Sequence, residues 1–288
     1  MIETALIAPG ITTCSRFVGA PGARVFTSRT GPADRQPGLR LVVCPPIGAE
    51  AARNYRRETL LSRQLAGRGV ETIRLHYRGS GHSDASPDDG FQSMVDDARL
   101  VASEPADDVP LAWMGTRLGG SVATAVLADA PGVPLVIWDP VLDATAYFRE
   151  ILRARVFSAF KTDDAGAAPK SDLIKDLQAS GSIDLLGYSI SAALLDQIAA
   201  GSGIQSFPVE GRKILLLDLR RKGDPRSEVV KLVNEWQARG GDAVVTGVAL
   251  YEPWWYGARS GAAGDETSEA NRKLLDLTTE FVSGLVPQ

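Results

Sequence analysis

The sequence predicts an α/β fold in which a mostly parallel sheet is covered by helices on both faces. The main observation is that apolar runs of strand length alternate with helix-length stretches over most of the 288 residues. This alternation is typical of strand–helix–strand units. Hydrophobic residues make up 44% of the chain and charged residues 23%, which is the composition of a globular protein whose core needs no disulfide bonds.

Strands and helices are predicted in turn along the first half of the chain. The residues LRLVVCPP (39–46) form a buried strand, which two prolines end. The elements that follow are a helix over 54–69, a strand over 70–77, a helix over 90–104, a strand over 110–116, a helix over 119–130 and a strand over 133–141.

The strand rhythm stops between Asp143 and Pro208, where two amphipathic stretches flank the polar run KTDDAGAAPKS. We predict a mostly helical cap over 144–206, inserted into a core formed by 1–143 and 207–288. The alternative is a loosely packed extra subdomain with no role in a site. The core then resumes with strands over 213–219 and 242–250, a helix over 227–241 and a final helix over 268–285.

Composition and termini exclude several classes of protein. The formal net charge of −4 argues against a general nucleic-acid binder. Cys14 and Cys44 lie neither in a C-x-x-C pair nor beside a His, so we predict no metal site, no cofactor and no disulfide framework. The start MIETALIAPG lacks the features of a signal peptide, and no apolar run approaches the ~20 residues of a membrane span. We expect a cytoplasmic protein without membrane contact.

The residues MGTRLGGSVA (114–123) have the outline of a sharp turn between a strand and a helix. In hydrolases this turn reads G-x-S-x-G, and its central Ser is the nucleophile. Here the central residue is Arg117. A guanidinium stays protonated at physiological pH and cannot attack a carbonyl, so this position must do something else.

The chain resembles the α/β-hydrolase superfamily in four short motifs that occur in the order of that superfamily. They are the loop PPIGAE (45–50), the turn HYRGSGHSD (76–84), the strand–turn–helix around Arg117 and the segment KGDPRSE (222–228). PP-x-x-x-E, an elbow similar to G-L-R-L-G and the strand end W-D-P (138–140) also resemble a subgroup, the exosortase-associated hydrolases.

This resemblance implies the positions of several site groups. An oxyanion hole would use the backbone amide of Leu118 and that of Ile47 or Gly48. Asp224 matches the position of the triad acid, although without a His partner we expect it only to cap the helix from Ser227. The superfamily order is Ser, acid, His.

The His of that order is missing from this chain. It is expected near YEPWWYG (251–257), but the two histidines present are His76 and His82, which both precede the turn at Arg117. No acyl-transfer triad can be assembled, so we expect no ordinary esterase or peptidase activity. The segment offers aromatic side chains instead, which either wall the pocket or pack the cap: Trp254, Trp255 and Tyr256.

The turn at Arg117 is predicted to bind an anion. It opens a helix, whose free N–H groups and dipole favour negative charge, and a guanidinium fits carboxylate, phosphate or sulfate. The predicted anion site combines Arg117 with the amides of Leu118, Ile47 and Gly48. The alternative is a structural ion pair between Arg117 and Glu50 or Asp139, and the two hypotheses can hold together.

Several nearby groups are candidates for a general base. We select Glu50, Asp139 and His82, because each is predicted to lie in a loop or at a strand end on the side of the turn. Asp84 is interpreted as a structural carboxylate of its turn, and His76 as a core histidine. The flanking glycines are expected to leave room for a ligand and to tolerate the strained turn: Gly115, Gly119 and Gly120.

The predicted function is a non-hydrolytic enzyme in a biosynthetic pathway. Arg117 would clamp a sulfate, phosphate or carboxylate group and promote elimination or intramolecular displacement, because the clamp stabilises charge on the leaving group. This chemistry resembles that of triad-less cyclases such as the azinomycin-type aziridine-forming enzyme. The expected partner is a small anionic substrate, free or carried by a carrier protein, and a homodimer is left open. The alternative is an inactive pseudohydrolase that acts in binding or as a scaffold.

Overall fold

The computed structural model describes residues 3–86, 90–104, 107–159, 173–185, 187–201, 203–250 and 269–287. A nine-stranded sheet runs through this part of the chain, and a separate two-stranded hairpin lies beside it. No described helix has both the length and the apolar character that crossing a membrane requires.

The strands are β1 (Glu3–Ala8), β2 (Ile11–Val18), β3 (Val25–Pro32), β4 (Leu39–Cys44), β5 (Val70–His76), β6 (Leu111–Thr116), β7 (Leu135–Trp138), β8 (Ser182–Leu185), β9 (Tyr188–Ser191), β10 (Lys213–Arg220) and β11 (Asp242–Ala249). The helices are α1 (Gly48–Gly67), α2 (Phe91–Ala102), α3 (Leu118–Leu127), α4 (Ala144–Ala159), α5 (Leu173–Ser180), α6 (Ala192–Gly201), α7 (Ser227–Ala238) and α8 (Glu269–Ser283).

The strands of the large sheet follow the order β1-β2-β3-β5-β4-β6-β7-β10-β11. The six from β5 to β11 are parallel to one another. β1, β2 and β3 add an antiparallel end, for which we predict nothing from residues 1–38. The predicted fold class, a mostly parallel sheet covered by helices, is confirmed.

Burial explains why the central strands read as continuous apolar runs. Every residue of β4 and of β7 is buried, as expected for parallel strands that are covered on both faces. Helix α1 packs against α8, while α2 packs against α3. The crossover from β4 to β5 and the crossover from β5 to β6 run in opposite directions along the sheet. Because both are right-handed, their helices α1 and α2 lie on opposite faces.

The chain reverses its direction across the sheet at β4. It passes from β4 to β5 on one side and returns to β6 on the other side. The loops after β4 and β6 therefore lead to opposite faces and leave a crevice between them. Such switch points are where open α/β sheets bind ligands, and the turn at Arg117 lies there.

Two features of the elements differ from the predictions. Helix α1 begins at Gly48, earlier than the predicted start at residue 54, so that Glu50 lies in its first turn and not in a loop. The region predicted to be mostly helical also contains the β8–β9 hairpin. Each strand of the hairpin has four residues, too few for a clear alternation of apolar and polar positions.

We call residues 144–201, between β7 and β10, the insertion. Its strand β9 contacts α1 and its helix α6 contacts α2. The contact with α1 is close, since a Cβ on Gly48 would lie 3.6 Å from the Cβ of Tyr188. The insertion therefore covers elements that lead away from the carboxyl ends of β4 and β5.

Candidate functional site

The turn after β6 holds Arg117 in a strained backbone conformation. Arg117 is the N-cap residue of α3, with φ 54° and ψ −120°. Positive φ is unfavourable for a residue with a side chain, and such strain persists only where the surroundings impose it. The backbone N–H of Arg117 donates to the carbonyl of Trp138 at 2.9 Å, and its carbonyl accepts from Gly120 at 3.0 Å. The geometry of a nucleophile elbow is thus present without a nucleophile.

The glycines beside Arg117 serve close packing. A Cβ on Gly115 would lie 2.3 Å from the carbonyl oxygen of Gly119, and one on Gly119 would lie 2.1 Å from that of Cys44. A Cβ on Gly120 would lie 2.7 Å from Ile137. None of the three has positive φ, so the turn requires glycine at these positions because a side chain would not fit, and the backbone strain lies at Arg117 itself. The three glycines let α3 approach β4, β6 and β7.

The guanidinium of Arg117 is bound by three carboxylates. Its Nε donates to Oε1 of Glu50 at 3.2 Å, its Nη1 to Oδ2 of Asp139 at 3.0 Å and its Nη2 to Oε2 of Glu150 at 2.8 Å. The Arg117 side chain is only 5% exposed. The structural ion pair is therefore present, and both of the partners that the sequence indicates take part in it.

Tyr147 completes the surroundings of the guanidinium. Its hydroxyl donates to Oε2 of Glu50 at 2.8 Å, and its ring centre lies 5.1 Å from Cζ of Arg117. This distance allows a cation–π contact. Because Tyr147 and Glu150 belong to α4, Arg117 joins the turn, α1, β7 and the insertion.

The pKa values reflect burial together with opposite charge. Burial disfavours the charged form of Arg117, but Glu50, Asp139 and Glu150 outweigh it and hold the pKa of Arg117 well above its usual range. Burial raises the pKa of Glu50, although Arg117 and the hydroxyl of Tyr147 oppose this rise. Burial and the charge of Glu50 raise the pKa of Tyr147 well above its ordinary value.

Asp139 extends the network to the neighbouring strand. It also has positive φ, 50°, and its Oδ1 accepts from Nη2 of Arg226 at 3.2 Å. Arg226 in turn binds Asp218, whose Oδ2 accepts from the Arg226 amide at 2.6 Å. We call the connected side chains the elbow ion cluster: Glu50, Arg117, Asp139, Glu150, Asp218, Arg220 and Arg226.

Sequence reasoning misses part of the elbow ion cluster. Asp218 is visible as the one acid within the apolar strand KILLLDL, and a buried acid there needs partners. Nothing in the sequence indicates that Glu150 reaches the turn. Asp224, the position that matches the triad acid, is exposed. The prediction that it caps α7 is wrong, because the N-cap is Arg226 and no side chain bonds to the cap.

The predicted oxyanion amides lie on the two loops that flank the crevice. Leu118 is the first residue of α3 and is fully buried, while Ile47 is the N-cap of α1, with Gly48 following it. The contact of Gly119 with the carbonyl of Cys44 shows that the two helix starts are close together. An anion bound by these amides and by Arg117 stays a prediction.

A cavity of about 540 Å³ opens beside this region. It extends around the carboxyl end of β5, between α1 and α2, and the β8–β9 hairpin forms part of its wall. Ile47 and Gly48 line it, but among its described lining residues neither Arg117 nor Leu118 occurs. The volume lies in the range of small-molecule pockets.

The two histidines lie on the β5 side of this region. His76 lines the cavity, and its Nδ1 accepts from the backbone N–H of His82 at 3.1 Å. Burial, with His82 and Arg74 nearby, lowers the pKa of His76 to about 4, so its ring is neutral at pH 7. His82 stacks on His76 and touches Phe26. The general-base role of His82 stays a prediction.

The expectation for Asp84 is confirmed, and Cys44 is buried. Asp84 is a structural carboxylate, since it accepts from the backbone amide and the guanidinium of Arg24, and these bonds lower its pKa to about 2. Cys44 is fully buried, and burial raises the pKa of its thiol to about 12. Neither residue offers a nucleophile.

Trp254, Trp255 and Tyr256, the predicted pocket wall, lie outside the described residues. Within the part of the chain that is described, no group of three or more His, Cys, Asp or Glu side chains is placed to hold a metal ion.

Solved structures provide the comparison with known proteins. The ferulic-acid complex of Est1E from Butyrivibrio proteoclasticus superimposes with a TM-score of 0.65 at 14% identity, over 95% of this chain and 100% of that one. Mouse α/β-hydrolase domain-containing protein 10 gives 0.55 at 14% identity, over 94% and 99% of the two chains. The chain has the α/β-hydrolase fold.

A third relative is an α/β serine hydrolase homologue from Coxiella burnetii, with a TM-score of 0.52 at 16% identity over 94% of this chain and 96% of that one. No protein-family model and no curated protein sequence matches the chain. At such low identity an α/β-hydrolase fold carries no statement about activity, because one fold supports many functions.

Proposed function

We propose that this chain is a non-hydrolytic α/β-hydrolase-fold protein that binds a small molecule in the cavity beside β5. In this proposal the turn at Arg117 is a structural centre that holds the insertion on the sheet. The observation that carries it is the saturation of Arg117, because Nε, Nη1 and Nη2 each donate to a carboxylate.

The composition of the turn supports the absence of hydrolysis. An acyl transfer needs a nucleophile, a base and donors for the oxyanion. Position 117 is an arginine, and the chain holds no histidine after residue 82. Thr116 and Ser121 flank the turn, but both are fully buried.

The first experiment tests hydrolysis. The wild-type chain and Arg117→Ser are assayed with a panel of p-nitrophenyl and thioesters, and Arg63→Ser on the exposed face of α1 is the control. We expect no turnover above the uncatalysed rate for any of the three, since the base is absent as well as the nucleophile. Ester hydrolysis by the wild type at a rate proportional to the enzyme concentration would contradict the proposal.

The second experiment tests binding. The purified chain is incubated with a bacterial metabolite extract, and retained compounds are identified by native mass spectrometry. Ala52 lines the cavity, so Ala52→Trp should block binding, while Arg63→Trp on the same helix but outside the cavity lining should not. Retention of no compound, or equal retention by Ala52→Trp, would contradict the proposal.

A second candidate function is the anion clamp with elimination or ring closure. The observation in its favour is that Arg117 already binds one exchangeable carboxylate, that of Glu150 in the insertion, whose side chain is 43% exposed. An anionic substrate that took the place of Glu150 would meet Arg117 between Glu50 and Asp139, which are the candidate bases. The same charges oppose a further anion unless Glu150 leaves.

Glu150→Gln distinguishes this candidate from the first. If the anion displaces Glu150, the substitution removes a competing charge and should raise the affinity for inorganic sulfate at least five-fold. If Arg117 is structural, the substitution leaves the affinity for sulfate unchanged. Calorimetric titration at low ionic strength measures this, with Glu228→Gln on exposed α7 as the control.

A further inference from the structure

We propose that Arg74 is the anion-binding residue of this chain, and that the cavity beside β5 takes an organic anion with an apolar body. The inference rests on the proposed function, since it names the class of ligand that the cavity binds. It assigns the anion to a different cation from Arg117, on the other side of the loop after β4.

Arg74 is buried but incompletely bonded. It lies near the end of β5, is 6% exposed and lines the cavity. Its Nη1 donates to Oγ1 of Thr59 at 2.9 Å and to the carbonyl of Tyr55 at 3.5 Å, and its Nη2 donates to Oγ of Ser28 at 3.3 Å. Its Nε is buried and has no hydrogen-bond partner.

The partners of Arg74 are neutral. No Asp or Glu oxygen comes within 4.0 Å of its guanidinium among the described residues, and the ring of Tyr55, 4.6 Å from Cζ, supplies only a cation–π contact. A buried charge without a counter-charge is costly. The guanidinium therefore has no carboxylate of the described chain in direct contact, and it lines a cavity that has room for an anion.

Arg212 is a second buried arginine without a carboxylate partner in the part of the chain that is described, and its hydrogen bonds are complete. Its Nε donates to the carbonyl of Pro208, its Nη1 to that of Val133, and its Nη2 to those of Leu127 and Ala130. Every nitrogen of that side chain has an acceptor. Arg16 and Arg29 also have a buried Nε without an acceptor, but each of them pairs with Glu104. Arg74 combines the unpaired Nε with longer contacts and with no described carboxylate in direct contact.

The carboxyl group of Glu58 interacts electrostatically with Arg74 and lines the same cavity. Burial raises the pKa of Glu58 to about 7, against the opposing effects of Arg74 and of the hydrogen bond from Asn54. At neutral pH this carboxyl therefore carries its charge only part of the time. A bound anion would replace it as the counter-charge of Arg74, and Glu58 would then hold a proton.

The rest of the wall indicates the body of the ligand. Apolar side chains from the loop after β4, from both helices and from the insertion face the same space: Pro46, Ile47, Ala51, Met94, Ile190 and Leu194. Burial of an apolar body against them contributes roughly 25 cal/mol for each Å² removed from water. The ligand class is thus a carboxylate, phosphate or sulfate that carries an alkyl or aryl group.

The experiment is calorimetric titration of the full chain with hexanoate, hexyl phosphate and hexyl sulfate, each compared with 1-hexanol. We expect at least one anion to bind with one-to-one stoichiometry and at least ten-fold more tightly than hexanol. Arg74→Met should reduce that affinity to the level of hexanol, Arg74→Lys should lose less, and Arg63→Met should change nothing. Thermal unfolding of each variant reports whether it folds.

The outcomes separate this inference from the proposed function. If the wild type binds hexanol and all three anions with equal affinity, Arg74 does not bind the anion. This conclusion holds even if no Arg74 variant folds. It does not contradict the proposal that the cavity binds a small molecule. Anion binding that Ala52→Trp does not weaken also overturns the role of Arg74, because the site then lies elsewhere. Retention of no metabolite in the extract experiment contradicts the proposed function itself.

Discussion

The loss of Arg117 should lower the stability of the fold strongly, because three carboxylates bind its guanidinium. Arg117→Met would leave Glu50 and Asp139 buried, with their main counter-charge gone. Breaking a buried ion pair in this way costs about 3–5 kcal/mol. We therefore expect a drop of this size in the free energy of unfolding, measured by urea denaturation.

A second substitution tests the physical reason. Glu50→Gln removes one of the two carboxylates that Arg117→Met leaves buried without a counter-charge. The double variant Arg117→Met/Glu50→Gln should therefore lose less free energy of unfolding than the two single losses add up to, by about 1–3 kcal/mol. Additive effects would show that Arg117 and Glu50 are not coupled, and would contradict the elbow ion cluster as a unit.

Glu58 should make stability depend on pH. Its pKa in the folded chain, about 7, lies above the ordinary value, so its contribution to stability is present at acidic pH and is lost as the pH rises through 7. Glu58→Gln should match the wild type near pH 4.5 and exceed it by up to about 3 kcal/mol at pH 8. The titratable groups that interact with Glu58 are Arg74, Cys44 and Tyr77.

Thermal or urea unfolding across pH 4.5 to 8 checks this prediction. Glu228→Gln on the exposed face of α7 is the matched control and should give a difference that does not vary with pH. A flat difference for Glu58→Gln would show that this carboxyl is already ionised throughout the range.

The residue scale also shows how far sequence reasoning reaches. Glu50 and Asp139 follow from their positions in motifs, and both bind Arg117. Glu150 could not be foreseen, because its contact depends on how the insertion folds back over the turn. Nothing in the sequence singles out Arg74 and Glu58, because a charged residue within an alternating or helical pattern is usually exposed to solvent.

At the scale of elements, the packing of α3 depends on glycine. Gly119→Ala would bring a Cβ to 2.1 Å from the carbonyl oxygen of Cys44, and backbone on both sides cannot yield cheaply. Overpacking of this kind costs about 1–3 kcal/mol or more. We expect a loss of at least that size in urea denaturation.

Gly67 provides the control for that substitution. It ends α1, and a Cβ there would meet no atom within 4 Å. Gly67→Ala should leave stability unchanged or raise it by up to about 1 kcal/mol, because alanine has the better helix propensity. If both alanine variants behave alike, the close approach of α3 to β4 is not what requires glycine.

Periodicity and apolar runs were enough to place the central elements. Every predicted strand from residue 39 onward is present, because buried parallel strands leave strong apolar signals. The sequence does not predict the antiparallel end formed by β1, β2 and β3. β2 is only partly buried along most of its length, so its composition shows neither an apolar run nor a clear alternation.

At the scale of the whole molecule, Tyr147 is a link between the insertion and the core. Tyr147→Phe removes the hydroxyl that donates to Glu50 while it keeps the ring beside Arg117. A hydrogen bond to a charged group contributes about 1.5–3 kcal/mol. We expect faster amide hydrogen exchange in α4, with little change in the central strands.

Tyr55→Phe is the control for this exchange experiment, since the Tyr55 side chain lies on α1 and is 46% exposed. It should leave exchange in α4 unchanged. Faster exchange over the entire chain in Tyr147→Phe would mean that the insertion and the core unfold together, and not that the insertion opens by itself.

The burial of Cys44 has a practical consequence. Only the thiolate reacts with alkylating reagents, and a thiol with a pKa of about 12 inside the core supplies almost none. Cys14, on β2, is partly exposed. One equivalent of a maleimide dye should therefore attach to the native chain at Cys14 alone, which gives a fluorescent reporter at a single position without any engineered cysteine.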